Sequence, residues 1–520
     1  MSIINQSLIC NNFGGIKRIQ SAFSSALITA SDLQNVELFD TGVNSGVGIR
    51  SMLGNKAIFS LPFENEKIIN IFESVQDSQK YCFVYAESES EGKIYLYDIV
   101  SNELTLKVQN LSVTGYASAV DFAQGWKDLF IFTNGKEMLS INLNNYDSDG
   151  NLDEIKFISP VDVDGNQIYG IGLSVFDGRL WLFNGVRLYY SVKENCYDFS
   201  TASFGIVTSA GYIECAKKIS AIIPYLGTLA VFHKDSSCLI SINSDYSYSM
   251  TEESPGGCAA TNSLVFHGNQ LFFYDDSKKS VFAFSQIING DKTLVDNIAK
   301  DVQEELFNLE TSLLNEIKIV SVIQSERNEI WFILPDKDVN FSTILIYDYI
   351  HSQWLKRKSQ KIVSAIILND TLYSFSDKKI FLEYNGENFD GEFIQSFYTC
   401  SPLNLFADNT VKMMYIPPRL TLDMTKSNDF SVKYTRNYDS ISKVKEKKIT
   451  AKTIKNVMYW DSSFWDSDAI FKPRETNSII RIPTSSFKSL EIMFYTSESP
   501  SPTGFAIKNI EMSQIKVKQV

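Results

Sequence analysis

The sequence predicts an all-β protein whose main domain is a β-propeller-like repeat of six or seven blades, and three observations lead there. One phrase recurs seven times between residues 94 and 375: a polar turn, four residues framed by large apolar side chains, and a second polar turn. The copies start at Ile94, Leu129, Leu180, Leu229, Leu271, Ile330 and Leu372, so successive starts differ by 35, 51, 49, 42, 59 and 42 residues. That interval brackets the length of a four-stranded propeller blade. Within the copies, as in Leu180-Trp181-Leu182-Phe183, apolar residues do not alternate with polar ones, the pattern of strands covered on both faces. Finally, a single segment of the chain has helical periodicity.

Taken in order, residues 1–60 form an N-terminal segment and 61–400 the propeller. Asp177-Gly178-Arg179 precedes Leu180 and Asn184-Gly185 follows Phe183, so tight turns bracket a strand short enough to cross one blade. The longest interval, between the fifth and sixth copies, holds Leu294, Ile298, Val302 and Leu306 at every fourth residue of an acidic stretch. This spacing predicts a helical insertion near 293–316. Beyond Cys400 the pattern changes: Pro402, Pro417-Pro418 and a Lys-rich stretch mark a boundary. Apolar runs at 420–422, 432–434, 479–482 and 490–494 then read as strands of a separate sandwich-like domain, 401–520.

A chain of 520 residues with 44 % hydrophobic content exceeds the size of one compact core. Its seven cysteines (Cys10, Cys82, Cys196, Cys215, Cys238, Cys258 and Cys400) are odd in number and lack any C-x-x-C pair, which predicts neither a disulfide framework nor a zinc site. Residues 1–12 have no basic start or sufficient apolar run for a secretory leader, so synthesis in the cytoplasm is expected. Charge is uneven. Residues 411–520 carry 18 Lys+Arg against 11 Asp+Glu, a net of +7; the totals of 48 and 61 leave 30 against 50, a net of −20, for residues 1–410. The basic excess peaks at Lys443, Lys445, Lys447 and Lys448. A solvated strand face, contact with an acidic neighbour and a nucleic-acid patch are its readings, although a net charge of −13 opposes tight DNA binding.

Catalytic motifs are lacking. His233, His267 and His351 have no second histidine or paired carboxylate at ligand spacing, so each reads as structural. There is no nucleophile elbow, phosphate-binding loop, H-E-x-x-H helix or dinucleotide fingerprint. The chain is therefore expected not to be an enzyme. One loop collects oxygen donors: Asn145, Asp147, Asp149 and Asp153 occupy the first, third, fifth and ninth positions, with Gly150 sixth. A hard cation such as Ca2+ wants this convergence, yet Lys156 stands where a helix-loop-helix site needs Glu. A hairpin calcium loop and an ordinary polar turn both fit, and no other cofactor is expected.

Whole phrases resemble a known family. Asn12-Phe13-Gly14-Gly15-Ile16, Asn35-Val36-Glu37-Leu38 and Gly48-Ile49-Arg50-Ser51-Met52-Leu53-Gly54-Asn55 are similar to the N-terminal pattern of the tail nozzle proteins of short-tailed bacteriophages, also called phage stabilisation or tail tubular B-type proteins. Arg187-Leu188-Tyr189-Tyr190-Ser191, Gly257-Cys258-Ala259-Ala260, Arg327-Asn328-Glu329-Ile330-Trp331 and Tyr347-Asp348-Tyr349 with Trp354 resemble later phrases of that family, in the same order. The pair Trp460-Asp461 and Trp465-Asp466 resembles a repeat near its end.

The resemblance implies a platform domain in which the N-terminal segment folds with the C-terminal part. It also implies a structural virion protein: six copies around the tail axis, continuing the DNA channel below the portal and adaptor ring, retaining the genome and passing it at ejection. Neighbouring partners are then the adaptor and tail fibre or spike proteins, with DNA in the lumen unbound by sequence. Trp460 and Trp465 read as core or as interface anchors, and Lys443, Lys445, Lys447 and Lys448 as docking candidates. The alternative is a receptor-binding, glycan-binding or glycan-degrading propeller of the tail.

Overall fold

A computed structural model describes the chain except at residues 1–4, 11, 18–27, 42–45, 64, 126, 144–154, 203–207, 252–253, 287–292, 308, 310–316, 326, 337, 339, 402–409, 415–417, 424–427, 437–444, 452–456, 459–469, 472–476, 482–485, 488–489, 498–503 and 520. It divides into two compact units: residues 57–342 with 360–383, and residues 1–56 with 343–359 and 384–520.

Seven sheets of the propeller follow one another along the chain. Six of them span 67–111, 118–158, 172–214, 219–250, 264–297 and 318–360 as successive antiparallel strands. In the seventh, Ser364–Leu368, Thr371–Phe375 and Lys379–Glu383 are joined by Asn55–Ser60, so a strand from the start of the chain completes the last blade. First strands of neighbouring blades pack on each other from the first blade to the fourth and from the fifth to the seventh, and that of the seventh meets that of the first. This joins the last blade to the first and closes the ring. The expected six or seven blades are seven.

The absence of alternation has a direct cause. Leu180, Trp181, Leu182 and Phe183 are all buried, yet they serve two different cores. Leu180 and Leu182 enter the cluster between the second and third blades, while Trp181 and Phe183 enter that between the third and fourth. Leu229 and Val231 against Ala230 and Phe232 repeat the division one blade on. A strand's side chains point alternately to its two faces; here both faces are interior, so every position is apolar.

Six of the seven phrases lie on the second strand of their blade, but Ile94-Tyr95-Leu96-Tyr97 lies on the third strand of the first, Gly92–Asp98. The second strand, Gln79–Glu87, carries Cys82-Phe83-Val84-Tyr85 instead, split between two cores in the same way. Counted from Cys82, the step to Leu129 is 47 residues (129 minus 82) rather than 35.

Over the described residues 293–307 the structure differs from the helical insertion expected near 293–316. Thr293–Asn297 is a strand, the fourth of the fifth blade, paired with Ser280–Gln286. Ile298 N donates to Val281 O at 3.1 Å, and among the described residues of this stretch only Gln303–Phe307 is helical. The four-residue spacing thus sums a strand residue, Leu294, an irregular residue, Ile298, a turn residue, Val302, and one short helix whose Leu306 is buried. Residues 310–316 lie outside the described residues.

The other unit is built as sheets of the opposite kind. Phe13–Ile16 and Ile28–Gln34 share a six-stranded sheet with Phe397–Cys400, Leu490–Tyr495, Asn428–Arg436 and Lys445–Ala451. Asn5–Cys10, Val36–Asp40 and Val47–Ser51 join an eight-stranded sheet organised on the long strand Ala506–Gln519. The N-terminal segment and the C-terminal part therefore make one β-rich platform. Some of its strands do alternate: Leu490, Ile492 and Phe494 are buried while Glu491, Met493 and Tyr495 are half-buried, and Leu420 and Leu422 are buried between half-buried neighbours, as expected of sheets with one covered face. Phe430 and Phe494 both pack on Phe505.

Candidate functional site

The axis of a propeller is a usual place to look for a ligand, and in this chain it is filled by the chain itself. After the fourth blade, Gly257 passes so close to Lys234 that an added Cβ would lie 2.1 Å from its backbone carbonyl. Cys258 N then donates to His233 O at 2.9 Å and Ala259 N to Tyr274 O at 2.9 Å. A short turn of 3-10 helix follows at Thr261–Ser263, fixed by Ser263 Oγ, which accepts from Ala260 N at 3.0 Å. Thr261 Oγ1 donates to Ser220 O of the fourth blade's first strand at 3.3 Å, and Tyr116 OH meets Thr261 Oγ1 at 3.3 Å. Asn70 Nδ2, from the first blade's first strand, donates to Asn262 Oδ1 at 3.1 Å. Blades one and four stand on opposite sides of a seven-blade ring, so a turn bonded to both crosses the axis. In the sequence, Gly257-Cys258-Ala259-Ala260 carries only the family resemblance given above; its axial position is long-range and leaves no local signal.

Elsewhere in the propeller, polar groups at least partly buried fasten blade to blade. Glu87 accepts from Tyr85 OH at 2.8 Å, Thr114 N at 2.9 Å and Gly115 N at 2.9 Å, and Glu137 from Ser112 Oγ at 2.5 Å and Asn134 Nδ2 at 2.7 Å. Together they fix the connection between the first two blades. His267 Nδ1 lies 2.8 Å from Ser321 Oγ, and burial lowers its pKa below the usual 6.5. No disulfide joins the six described cysteines, which are buried. Burial pushes the Cys196 and Cys258 thiols up to about 12, so neither offers a thiolate nucleophile at neutral pH.

A concave surface does exist, on the outer side of the second blade. A cleft of about 700 Å³ is floored by Met138 and Ile158 and rimmed by Lys136, Phe157, Gln167 and Tyr169. Phe157 sits on the blade's fourth strand, Ile155–Ile158, and Tyr169 in the segment leading to the third blade. The strand alternation that buries Ile158 turns Phe157 outward.

The residues singled out by sequence are scattered. Asn145, Asp147, Asp149 and Asp153 lie outside the described residues, as do Lys443, Trp460 and Trp465. Lys445, Lys447 and Lys448 are exposed on Lys445–Ala451, at the end of the six-stranded platform sheet. Lysines on an edge strand discourage further strands from pairing with it. Lys448 stands 4.0 Å from Asp429 and Glu446 bonds to Tyr495 OH. Among the described residues, no group of three or more His, Cys, Asp or Glu is arranged to hold a metal ion, and no helix is long and apolar enough to cross a membrane.

One histidine departs from expectation. His351 does have a carboxylate partner: its Nδ1 is 2.6 Å from Asp348 Oδ2 and its backbone N donates to Asp348 Oδ1 at 3.0 Å, while Asp40 lies 3.9 Å from Nε2. An Asp three residues before a His in a tight turn was the available signal. The hydrogen bond to Asp348 raises the His351 pKa above its ordinary 6.5. A raised folded pKa means that this contribution is complete below the unfolded value and is lost as pH rises through the folded one. Replacing His351 by Gln should therefore remove a fall in stability above pH 6.5, of less than about 1 kcal/mol because the pair is partly exposed. Denaturant melts of both proteins across that interval check it; identical pH dependence refutes the pairing.

No protein-family model matches the chain, and no curated protein matches it in sequence. Among solved structures, a streptogramin B lyase is similar at 12 % identity and a TM-score of 0.39, over 62 % of this chain and 95 % of that one. Virginiamycin B lyase from Staphylococcus aureus is similar at 11 % identity and a TM-score of 0.39, over 67 % of this chain and 98 % of that one. The chain is a β-propeller protein. Both are structures of enzymes, so the expectation that this chain is not one does not stand. A want of sequence motifs is no ground for excluding catalysis, because catalytic groups on a propeller come from different blades and need share no local spacing. At these identities the likeness concerns fold alone and brings no activity with it.

Proposed function

We propose that this β-propeller chain is a tail nozzle protein of a short-tailed bacteriophage. The observation that carries the reading is the platform: strands from residues 5–51 pair with strands from 397–519 in both sheets, the organisation that the resemblance of the N-terminal phrases implies. In this reading the protein resides in the virion tail as a ring of six, below an adaptor ring and next to fibre or spike proteins, and the DNA path runs between copies. The plugged axis supports that path, since no strand of DNA passes through a single propeller closed by Thr261–Ser263. A net charge of −20 over residues 1–410 keeps phosphates from adhering during ejection.

Assembly then draws on the charge contrast between −20 and +7. The exposed Lys445, Lys447 and Lys448 face an acidic surface of a neighbouring subunit or ring in this scheme, and such pairs act chiefly on rate and orientation, screened over about 8 Å at physiological salt. Changing all three to Glu should slow or abolish ring formation while leaving the melting of the monomer unchanged. Light scattering against salt concentration reads the first effect and thermal melting the second. A triple variant that assembles normally but loses DNA binding would replace docking with a nucleic-acid role.

A further inference from the structure

We propose that the outer cleft of the second blade is a saccharide-binding site. Six aromatic side chains are exposed among the described residues: Phe157, Tyr169, Tyr246, Phe266, Phe307 and Phe341. Two of the six, Phe157 at 57 % and Tyr169 at 43 % exposure, rim this one cleft. An exposed aromatic face is apolar and flat, and it matches the C–H face of a pyranose ring better than it matches water. The rest of the rim supplies what hydroxyl groups need. Lys136, Gln167 and the Tyr169 hydroxyl have no side-chain hydrogen-bond partner among the described residues. The neighbouring polar groups are by contrast committed: Glu137 to Ser112 and Asn134, and Thr133 Oγ1 to the Gly170 carbonyl at 2.9 Å. The cleft thus combines two aromatic platforms with uncommitted donors above an apolar floor, at a volume within the 300–1,000 Å³ or so of small-ligand sites.

Its charge narrows the class. Lys136 is the cleft's exposed cation, while its one carboxylate, Glu137, is held inward, so a saccharide bearing a carboxylate is preferred over a neutral one of the same size. The site is also the natural one for this propeller, because the axis is occupied by Thr261–Ser263. It stands independently of the nozzle reading, which is decided by ring formation.

The test is a printed array of neutral and acidic bacterial surface oligosaccharides probed with the full chain, followed by calorimetric titration of the strongest hits. The unmodified protein should bind acidic members. Phe157→Ala and Tyr169→Ala should each lower affinity at least tenfold, and Lys136→Ala should erase the preference for acidic over neutral sugars. Tyr246→Ala, an equally exposed aromatic in the fourth blade, should change nothing. All four positions are on the surface, so circular dichroism should show the fold intact. No binding by the unmodified chain, or binding that survives both aromatic substitutions, would overturn the proposal.

Discussion

Trp181→Ala and Leu182→Ala, made one at a time, are each expected to destabilise the propeller severely, by about 3–5 and 2–5 kcal/mol respectively. The two residues are chain neighbours and therefore point to opposite faces of their strand. In a sheet with one wet face, one of the two changes would be close to neutral. Here Trp181 fills the core between the third and fourth blades, where its ring packs 4.9 Å from both Tyr190 and Tyr248 and its Nε1 donates to Phe176 O at 3.0 Å. Leu182 fills the separate core between the second and third blades. Because the cavities open in different cores, the double variant should lose nearly the sum of the two. Denaturant unfolding followed by tryptophan-independent circular dichroism measures both effects. A surface-like cost of under about 0.5 kcal/mol for either one would mean that its face is not interior and that the blades do not stack as described.

Gly257→Ala is expected to be the most damaging single-atom addition in the propeller. The glycine needs no unusual backbone angle; what it needs is space. An added Cβ would lie 2.1 Å from both the carbonyl carbon and the oxygen of Lys234, and backbone atoms cannot swing aside as a side-chain tip can. The expected cost is at or above the top of the roughly 1–3 kcal/mol typical of overpacking, with the axial turn displaced and the Asn70–Asn262 bond broken. Gly135→Ala is the contrast. Its φ of +88 is unfavourable for Ala, but nothing lies within 4 Å of the added atom, so about 1 kcal/mol is expected from backbone strain alone. Equal melting temperatures for the two variants would show that the close approach at Lys234 does not exist.

These two residues also mark what was legible in the sequence. The continuous apolar run around Trp181 carried the blade architecture directly, since two-faced burial removes polar residues from every position of a strand. The seven-fold count was accessible for the same reason, with one slip, where the third strand of the first blade is as apolar as the second. Helical periodicity misled at 293–316 because a strand residue, Leu294, and a helix residue, Leu306, happen to fall on one four-residue grid. The axial turn was not legible: Gly257-Cys258-Ala259-Ala260 carries only a family resemblance, and the bond from Asn262 to Asn70 joins residues 192 apart. Phe157 was hidden likewise, because an exposed aromatic on an outer strand looks like any other core residue until its neighbours are known. His351 and Asp348 are legible in the sequence, three residues apart, as a pair that closes a turn rather than one that holds a ligand.

The central claim, that this propeller and platform build a tail nozzle, is tested most directly by native mass measurement of the full chain combined with averaging of particle images. The expected result is a ring of six copies with a hole along the ring axis, in which each propeller's own axis is closed at residues 261–263. A chain that stays monomeric at high concentration, or that assembles without an axial opening, would contradict it.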